Sequence, residues 1–149
     1  MRSSRREAVT DPDPSRSVPE GLTARELAFL QGAFELAREG DVDQLTAYID
    51  AGLPVNLTNG SGDTLLILAA YHRHADLVRA LLARGADHSR LNDRGQSALA
   101  AAVFRQDTEV VKVLLAAGAD PALGPQSALA TASVFDLPAM LALLGGSPG

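Results

Sequence analysis

Two histidines and an aspartate lie within five positions of one another, at His72, His74 and Asp76. Imidazole nitrogens and carboxylates are ordinary zinc ligands, and the same groups act as general bases in hydrolases. A zinc site, however, needs at least three protein ligands that converge on one point. Whether these side chains can converge depends on the elements that carry them, and on what stands at the same positions if the pattern recurs.

Other reactive groups are few in this chain. Cysteine is absent, which excludes disulfides, thiolate nucleophiles and cysteine-based zinc sites. His88 is the third and last histidine, and no strand–turn–helix elbow surrounds any serine. The segment 59–63, NGSGD, has no lysine to reach a phosphate and is interpreted as a turn that needs positive φ. We expect no enzyme activity, no metal and no cofactor; the alternative is a small hydrolase or metal-dependent enzyme using His72, His74 and Asp76.

The composition is that of an ordinary globular protein, with 46% hydrophobic and 21% charged residues. A formal net charge of −5 disfavours nucleic acid and anionic lipid as partners. No apolar run reaches the roughly 18 residues that a membrane-spanning helix requires. We therefore expect a monomeric cytoplasmic protein without nucleic-acid or membrane partners. Abundant arginine and alanine beside a single lysine indicate a bacterial source, and the proline- and arginine-rich residues 1–20 predict a disordered tail.

A repeat with a period of about 33 residues dominates the rest of the chain. The segment GDTLLILAAYHRHADLVRALLARGAD at 62–87 is matched by GQSALAAAVFRQDTEVVKVLLAAGAD at 95–120. A fourth, shorter copy begins with SALATAS at 127–133, which repeats SALAAAV at 97–103. Matches in one register along so much of the chain indicate stacked structural units rather than an irregular fold.

Each central copy is predicted to contain two helices. The first begins at a hydroxyl that can cap it, Thr64 or Ser97, and continues with leucine and alanine. The second ends at Arg84 and Gly85, a cation followed by a residue that tolerates positive φ. Its apolar stripe consists of Leu77, Val78, Leu81 and Leu82. Neither helix can bury its apolar face alone, so the copies must stack on one another.

The earliest copy opens with a helix of its own. Thr23 and Glu26 have the spacing of a capping box, in which each side chain accepts a backbone N–H at the helix start. Leucine, phenylalanine and alanine then recur at steps of three and four residues, which lines up one helical face. This helix is predicted to end near Arg38.

The repeat register gives the histidines a structural interpretation. His74 matches aspartates of other copies, at the position just before the second helix, where a short polar side chain can accept orphan N–H groups. Those aspartates are Asp41, Asp107 and, after a one-residue deletion, Asp136. Asp76 falls in the first turn of that helix, which favours negative charge. His74 and Asp76 are therefore predicted to be capping residues rather than metal ligands.

The two central copies resemble the ankyrin repeat. The chain as a whole resembles a short ankyrin repeat protein of bacterial type, with about four repeats. The family's usual Thr-Pro-Leu-His is altered here to Thr-Leu-Leu-Ile at 64–67. The resemblance implies an all-α solenoid of about four stacked helix-turn-helix units with short extended fingers. The predicted copies are approximately 21–58, 59–91, 92–124 and 125–146, between an N-terminal tail at 1–20 and a C-terminal tail at 147–149.

The same resemblance implies a protein–protein interaction module, an adaptor or inhibitor, that binds another protein along its concave face. That face is formed in the family by the fingers and the ends of the first helices. The candidate partner-binding residues there are Tyr71, His72, Phe104, Arg105, Phe135, Asp63, Asp93, Arg94 and Glu39. A line of aromatic side chains flanked by mixed charges is typical of an interaction hot spot. The alternative for Tyr71 and Phe104 is packing between neighbouring helices.

Overall fold

The computed structural model describes residues 23–145, so the predicted tails at 1–20 and 147–149 lie outside the described residues. Within the described part, the chain forms eight α-helices, and the only β-type contact is an isolated bridge between Thr58 and Thr64. The helices are α1 Ala24–Glu39, α2 Val42–Asp50, α3 Leu65–Tyr71, α4 Ala75–Ala83, α5 Ala98–Phe104, α6 Thr108–Ala116, α7 Ala128–Val134 and α8 Pro138–Leu143.

The helices form two layers, as expected for a stack of helix pairs. The first helices of the pairs, α1, α3, α5 and α7, contact one another in sequence order. The second helices, α2, α4, α6 and α8, do the same in a parallel layer. Each first helix also packs on the second helix of its own pair. The prediction of an all-α solenoid is confirmed, and its order follows from pairs that can bury their apolar faces only against neighbouring pairs.

Side-chain caps begin most of the helices where the sequence predicts them. Thr23 and Glu26 form the complete capping box of α1, with bonds of 3.0 and 2.9 Å to each other's backbone N–H. The hydroxyl of Thr64 accepts the Ile67 N–H at the start of α3. Ser97 and Ser127 cap α5 and α7 in the same way. The predicted helix stop at Gly85 is also confirmed, with φ at +89°.

The core lies between the two layers and along the first helices. Every residue of Leu65–Ala70 and of Ala98–Val103 is buried, because these helices are covered on three sides by the helices of their own and neighbouring pairs. Alanines on both helices allow close approach of the backbones. The second helices bury only one stripe, which in α4 comprises Leu77, Val78 and Leu81. Leu82, predicted to belong to that stripe, is only partly buried, since it lies at the edge of the contact with neighbouring helices.

The fingers are the segments 51–64, 84–97 and 117–127 that join consecutive pairs. The Asn59 side chain accepts the N–H groups of Ser61 and Asp63, and Gly62 takes a φ of +78°. Asn92 makes the same turn at the equivalent position of the next finger. The interpretation of NGSGD as a turn with positive φ is therefore confirmed.

The end of each first helix requires a residue with positive φ. Gly40 has this conformation in the first pair, and Arg73, Gln106 and Asp136 adopt it in the others. The prediction that Asp136 caps the last helix is wrong, because Leu137 is the residue that precedes α8. Asp107 and Leu137 precede their helices 30 residues apart, the same spacing as Ser97 and Ser127, so the fourth copy has no deletion at this point and Asp136 lies in the turn.

Candidate partner-binding surface

Three aromatic residues lie side by side at the ends of successive first helices. Tyr71 ends α3, Phe104 ends α5 and Phe135 immediately follows α7. The Tyr71 and Phe104 ring centroids are 6.2 Å apart with planes only 10° from parallel. The Phe104 and Phe135 rings meet edge to face at 5.4 Å. Because the helices stack in register, the repeat brings together side chains that lie one full copy apart in sequence.

These rings remain open to solvent although they contact one another. Their exposed fractions are 39% for Tyr71, 41% for Phe104 and 55% for Phe135. Val134, with 76% exposure, continues the same line in the fourth copy. We call these four residues the apolar row. Exposed apolar side chains are individually common, but a contiguous line of them is typical of a binding surface.

Val134 is missing from the candidates that the sequence predicts. The signal is present in the chain, because the match of SALATAS with SALAAAV aligns Ser127 with Ser97. In that alignment Val134 occupies the position of Phe104, and Phe135 occupies the position of Arg105. Val134 was missed because the sequence alignment assumed a one-residue deletion, which pairs Asp136 with the aspartates of the other copies and shifts the residues before it.

Two basic side chains lie beside the apolar row. The Arg105 guanidinium carbon is 4.9 Å from the centre of the Tyr71 ring, and its Nη1 donates to the Tyr71 carbonyl at 3.0 Å. The His72 ring meets the Tyr71 ring edge to face at 5.2 Å. Burial lowers the pKa of His72 below its ordinary value, and the nearby charges of His74, Arg105 and Arg38 lower it further. The lowered pKa favours the neutral form of His72, while Arg105 carries a fixed positive charge.

The three residues that suggested a metal site do not converge. His74 Nε2 donates to the Arg38 carbonyl at 2.6 Å, and its ring lies 6.5 Å from that of His72. Asp76 accepts from Arg79 at 3.0 Å. Between residues 23 and 145, no group of three or more histidine, aspartate or glutamate side chains is placed to hold a metal ion.

His74 has the predicted position but a different contact. It stands directly before α4, yet its side chain makes no capping hydrogen bond to that helix within the described residues. The prediction of a capping side chain is therefore wrong for His74, whereas Asp41 and Asp107 do cap their helices. The longer imidazole instead reaches a free carbonyl at the end of α1 in the preceding pair.

The remaining candidates form two groups at opposite ends of the first helices. Glu39 is exposed at the end of α1, in line with His72. Asp93 and Arg94 are exposed on the finger, whereas Asp63 is half-buried and accepts from the Asn92 side chain at 2.9 Å. A first helix of seven residues separates finger and apolar row by about 10 Å. A partner must therefore be at least this broad to contact both groups.

Between residues 23 and 145, the helix pairs pack mainly on the neighbouring pairs, and this arrangement defines an α-helical repeat protein of the solenoid class. A family model described as "Ankyrin repeats (3 copies)" matches residues 33–123 of this sequence. That match covers more than half of the chain and includes the two copies with the strongest internal similarity. The chain belongs to the ankyrin repeat family.

Two relatives are similar over shorter segments. A Pseudomonas aeruginosa protein named as an ankyrin repeat protein is 51% identical over 51 residues, which is 34% of this chain and 30% of the relative. The human ankyrin repeat domain-containing protein 29 is 38% identical over 64 residues, 42% of this chain and 21% of the relative. The matches thus span less than a third of either relative. No helix within the described residues is long and apolar enough to cross a membrane.

Proposed function

We propose that this protein is a non-catalytic protein–protein interaction module whose partner binds over the apolar row. The observation that carries the proposal is the alignment of four exposed apolar side chains along three consecutive first helices. His72, Arg105 and Glu39 provide polar contacts beside the row. Asp93 and Arg94 on the finger, together with the more buried Asp63, would contact a broader partner.

The geometry of the row favours binding on energetic grounds. Aromatic anchors contribute most where a partner can cover them completely, and they are enriched among interface residues whose truncation weakens binding strongly. Here Tyr71 and Phe104 already support one another through stacked rings, and Arg105 packs over Tyr71. Side chains held in place before binding lose less conformational entropy on association.

We further propose that the module acts as an adaptor or inhibitor and as a monomer in a bacterial cytoplasm. The absence of cysteine is compatible with a reducing compartment, and a bacterial relative has the same repeat type. A monomer leaves the apolar row free for a different protein. The predicted copy boundaries, approximately 21–58, 59–91, 92–124 and 125–146, belong to the same proposal.

The proposal is tested by capture of partners from the native lysate. Immobilised wild-type protein is compared with the double variant Tyr71→Ser/Phe104→Ser, and bound proteins are identified by mass spectrometry. Phe29→Ser is the matched control, because Phe29 is an aromatic residue with 44% exposure that lies on α1 against Tyr48, away from the row. We expect a partner retained by wild type and Phe29→Ser and lost by the double variant. Equal capture by all three proteins would place binding elsewhere.

A further inference from the structure

Arg105 is a positioned cation that no carboxylate neutralises within the described residues. Most arginines of residues 23–145 form ion pairs; those are Arg38, Arg73, Arg79, Arg84 and Arg90. Arg94 and Arg25 lack a carboxylate partner as well, but neither packs on an aromatic ring of the described chain. Among the arginines of residues 23–145, only Arg105 contacts both a ring and a backbone carbonyl, those of Tyr71.

The remaining N–H groups of Arg105 are available to an acceptor from outside. A guanidinium has five donors, and only its Nη1 has a partner among the described residues, the Tyr71 carbonyl. An arginine whose orientation is already fixed suits a carboxylate, which can accept two parallel hydrogen bonds from the fork. The half-buried position strengthens such a pair relative to one in free solvent.

Arg105 is the unpaired cation near the Tyr71 end of the row within the described residues, because the neighbouring Arg38 and Arg73 each pair with a carboxylate. His72, His74 and Arg38 lie on the same side, and Arg38 is partly neutralised by Glu35 at 2.8 Å. Burial is the main cause of the lowered pKa of His72, and the charges of His74, Arg105 and Arg38 lower it further. Glu39 is the acid at the outer end of the line. An anionic group of a partner would find its complement near the Tyr71 end of the row.

The other end of the row has no cation within the described residues, and the exposed Asp136 directly follows Phe135. Residues 121–135 contain no ionisable side chain, and Phe135 takes the position that Arg105 has in the preceding copy. Phe104 lies between the two ends and touches both Tyr71 and Phe135. A partner segment laid along the row therefore passes from a cation at Arg105 to an apolar surface that the Asp136 carboxylate borders.

We infer that the partner presents a segment in which an acidic residue is followed or preceded by large apolar side chains. Its carboxylate pairs with Arg105, and its apolar side chains cover Phe104, Val134 and Phe135. This inference rests on the proposed function, because it names the chemistry of the partner at the same surface.

The test uses random peptides displayed on phage and selected against the full chain. Wild-type protein is expected to enrich peptides that combine aspartate or glutamate with leucine, phenylalanine or tryptophan. Arg105→Glu should lose those peptides and enrich ones with lysine or arginine beside the same apolar residues. Arg79→Glu is the matched control, since Arg79 lies on α4 in the second-helix layer, and its enriched peptides should equal those of wild type.

The strongest wild-type peptide is then compared with its amide isostere, in which aspartate or glutamate becomes asparagine or glutamine. We expect affinity to fall about tenfold or more, the loss typical of a charge-assisted hydrogen bond. Enriched peptides without an acidic excess, or an unchanged selection by Arg105→Glu, would overturn the inference. If those peptides still fail to bind Tyr71→Ser/Phe104→Ser, the proposed function survives. Peptides that bind Tyr71→Ser/Phe104→Ser as tightly as wild type would contradict both the inference and the proposed function. A selection that enriches no sequences would also contradict both.

Discussion

At the scale of single residues, His74 shows how one side chain can join two copies of the repeat. Its ring reaches back to the Arg38 carbonyl, one of the acceptors left free at the end of α1. The ring also packs directly on Gly40, where an added Cβ would lie 2.5 Å from Nδ1. Position 40 therefore requires glycine for two reasons: its φ is +77°, and a side chain there would clash with the His74 imidazole.

Gly40→Ala should destabilise the protein by about 2 to 4 kcal/mol, from the left-handed backbone and the clash with His74. In a His74→Ala background the same change should cost only about 1 to 2 kcal/mol, because the steric part is relieved. Urea unfolding of the four proteins in this cycle measures the coupling. Equal costs in both backgrounds would mean that the ring does not occupy the space above Gly40.

His72 should titrate below the ordinary histidine pKa of about 6.5. Burial is the main cause, followed by repulsion from His74, Arg105 and Arg38, while Glu35 acts weakly in the opposite direction. Since the folded protein binds the proton less readily than the unfolded chain, stability should fall as the pH drops from about 6.5 towards the folded pKa. NMR titration of the imidazole signals measures the shift, and Arg105→Gln should move this pKa upward. A value at or above about 6.5 in wild type would contradict the lowering of this pKa by burial and neighbouring charges.

At the scale of elements, the predictable features were those that depend on local chemistry. Hydroxyl caps such as Thr64 and glycine stops such as Gly85 follow from the atoms of a few neighbouring residues. Some missed features depend on contacts between copies. The His74 contact, for example, joins residues 36 positions apart. Val134 was missed for a different reason, because a one-residue deletion was assumed in a copy whose helix caps keep the Ser97-to-Ser127 spacing. The site was predictable in part, because Tyr71 and Phe104 follow the 33-residue period. The edge-to-face contact of Phe135 and the orientation of Arg105 do not follow from that period.

Gln106→Gly should stabilise the turn between α5 and α6 by about 0.5 to 1 kcal/mol, because relief of strain exceeds the entropy that glycine adds to the unfolded state. The strain arises from the φ of +57° at Gln106. Its side chain is exposed and makes no hydrogen bond within the described residues, so little else is lost. Thermal and urea unfolding test the change, with Gln106→Ala as the control that should be neutral or destabilising. A glycine variant less stable than wild type would contradict the strained turn.

At the scale of the whole molecule, the stack gives the central pairs two neighbours and the last described pair only one. The pair α7 and α8 packs on α5 and α6 alone within residues 23–145, and α8 has only six residues and no side-chain cap in that part of the chain. Stability in such proteins is the sum of each unit and its interfaces. The apolar row thus runs from a well-supported region at Tyr71 to a less supported one at Phe135.

Hydrogen exchange should report this gradient directly. Amides of α3 to α6 should exchange only through global unfolding, whereas those of α7 and α8 should exchange through a lower-energy opening of the last pair. A peptide that covers the row should slow exchange in α7 more than in α4, because it bridges Phe104 and Phe135. Uniform protection across all pairs would show that the stack opens only as one unit.

The most direct measurement of the central claim is the affinity of the captured partner for wild-type protein and for Tyr71→Ser/Phe104→Ser. Loss of two aromatic anchors should weaken binding by more than about a hundredfold, at roughly 2 kcal/mol for each ring. Because both rings are partly exposed, unfolding free energy should fall by much less than the roughly 3 to 5 kcal/mol typical of a buried aromatic truncation. Phe29→Ser should bind as wild type does. Unchanged affinity in a folded double variant would contradict binding at the apolar row. A loss of affinity that is explained by unfolding of the double variant would contradict it as well.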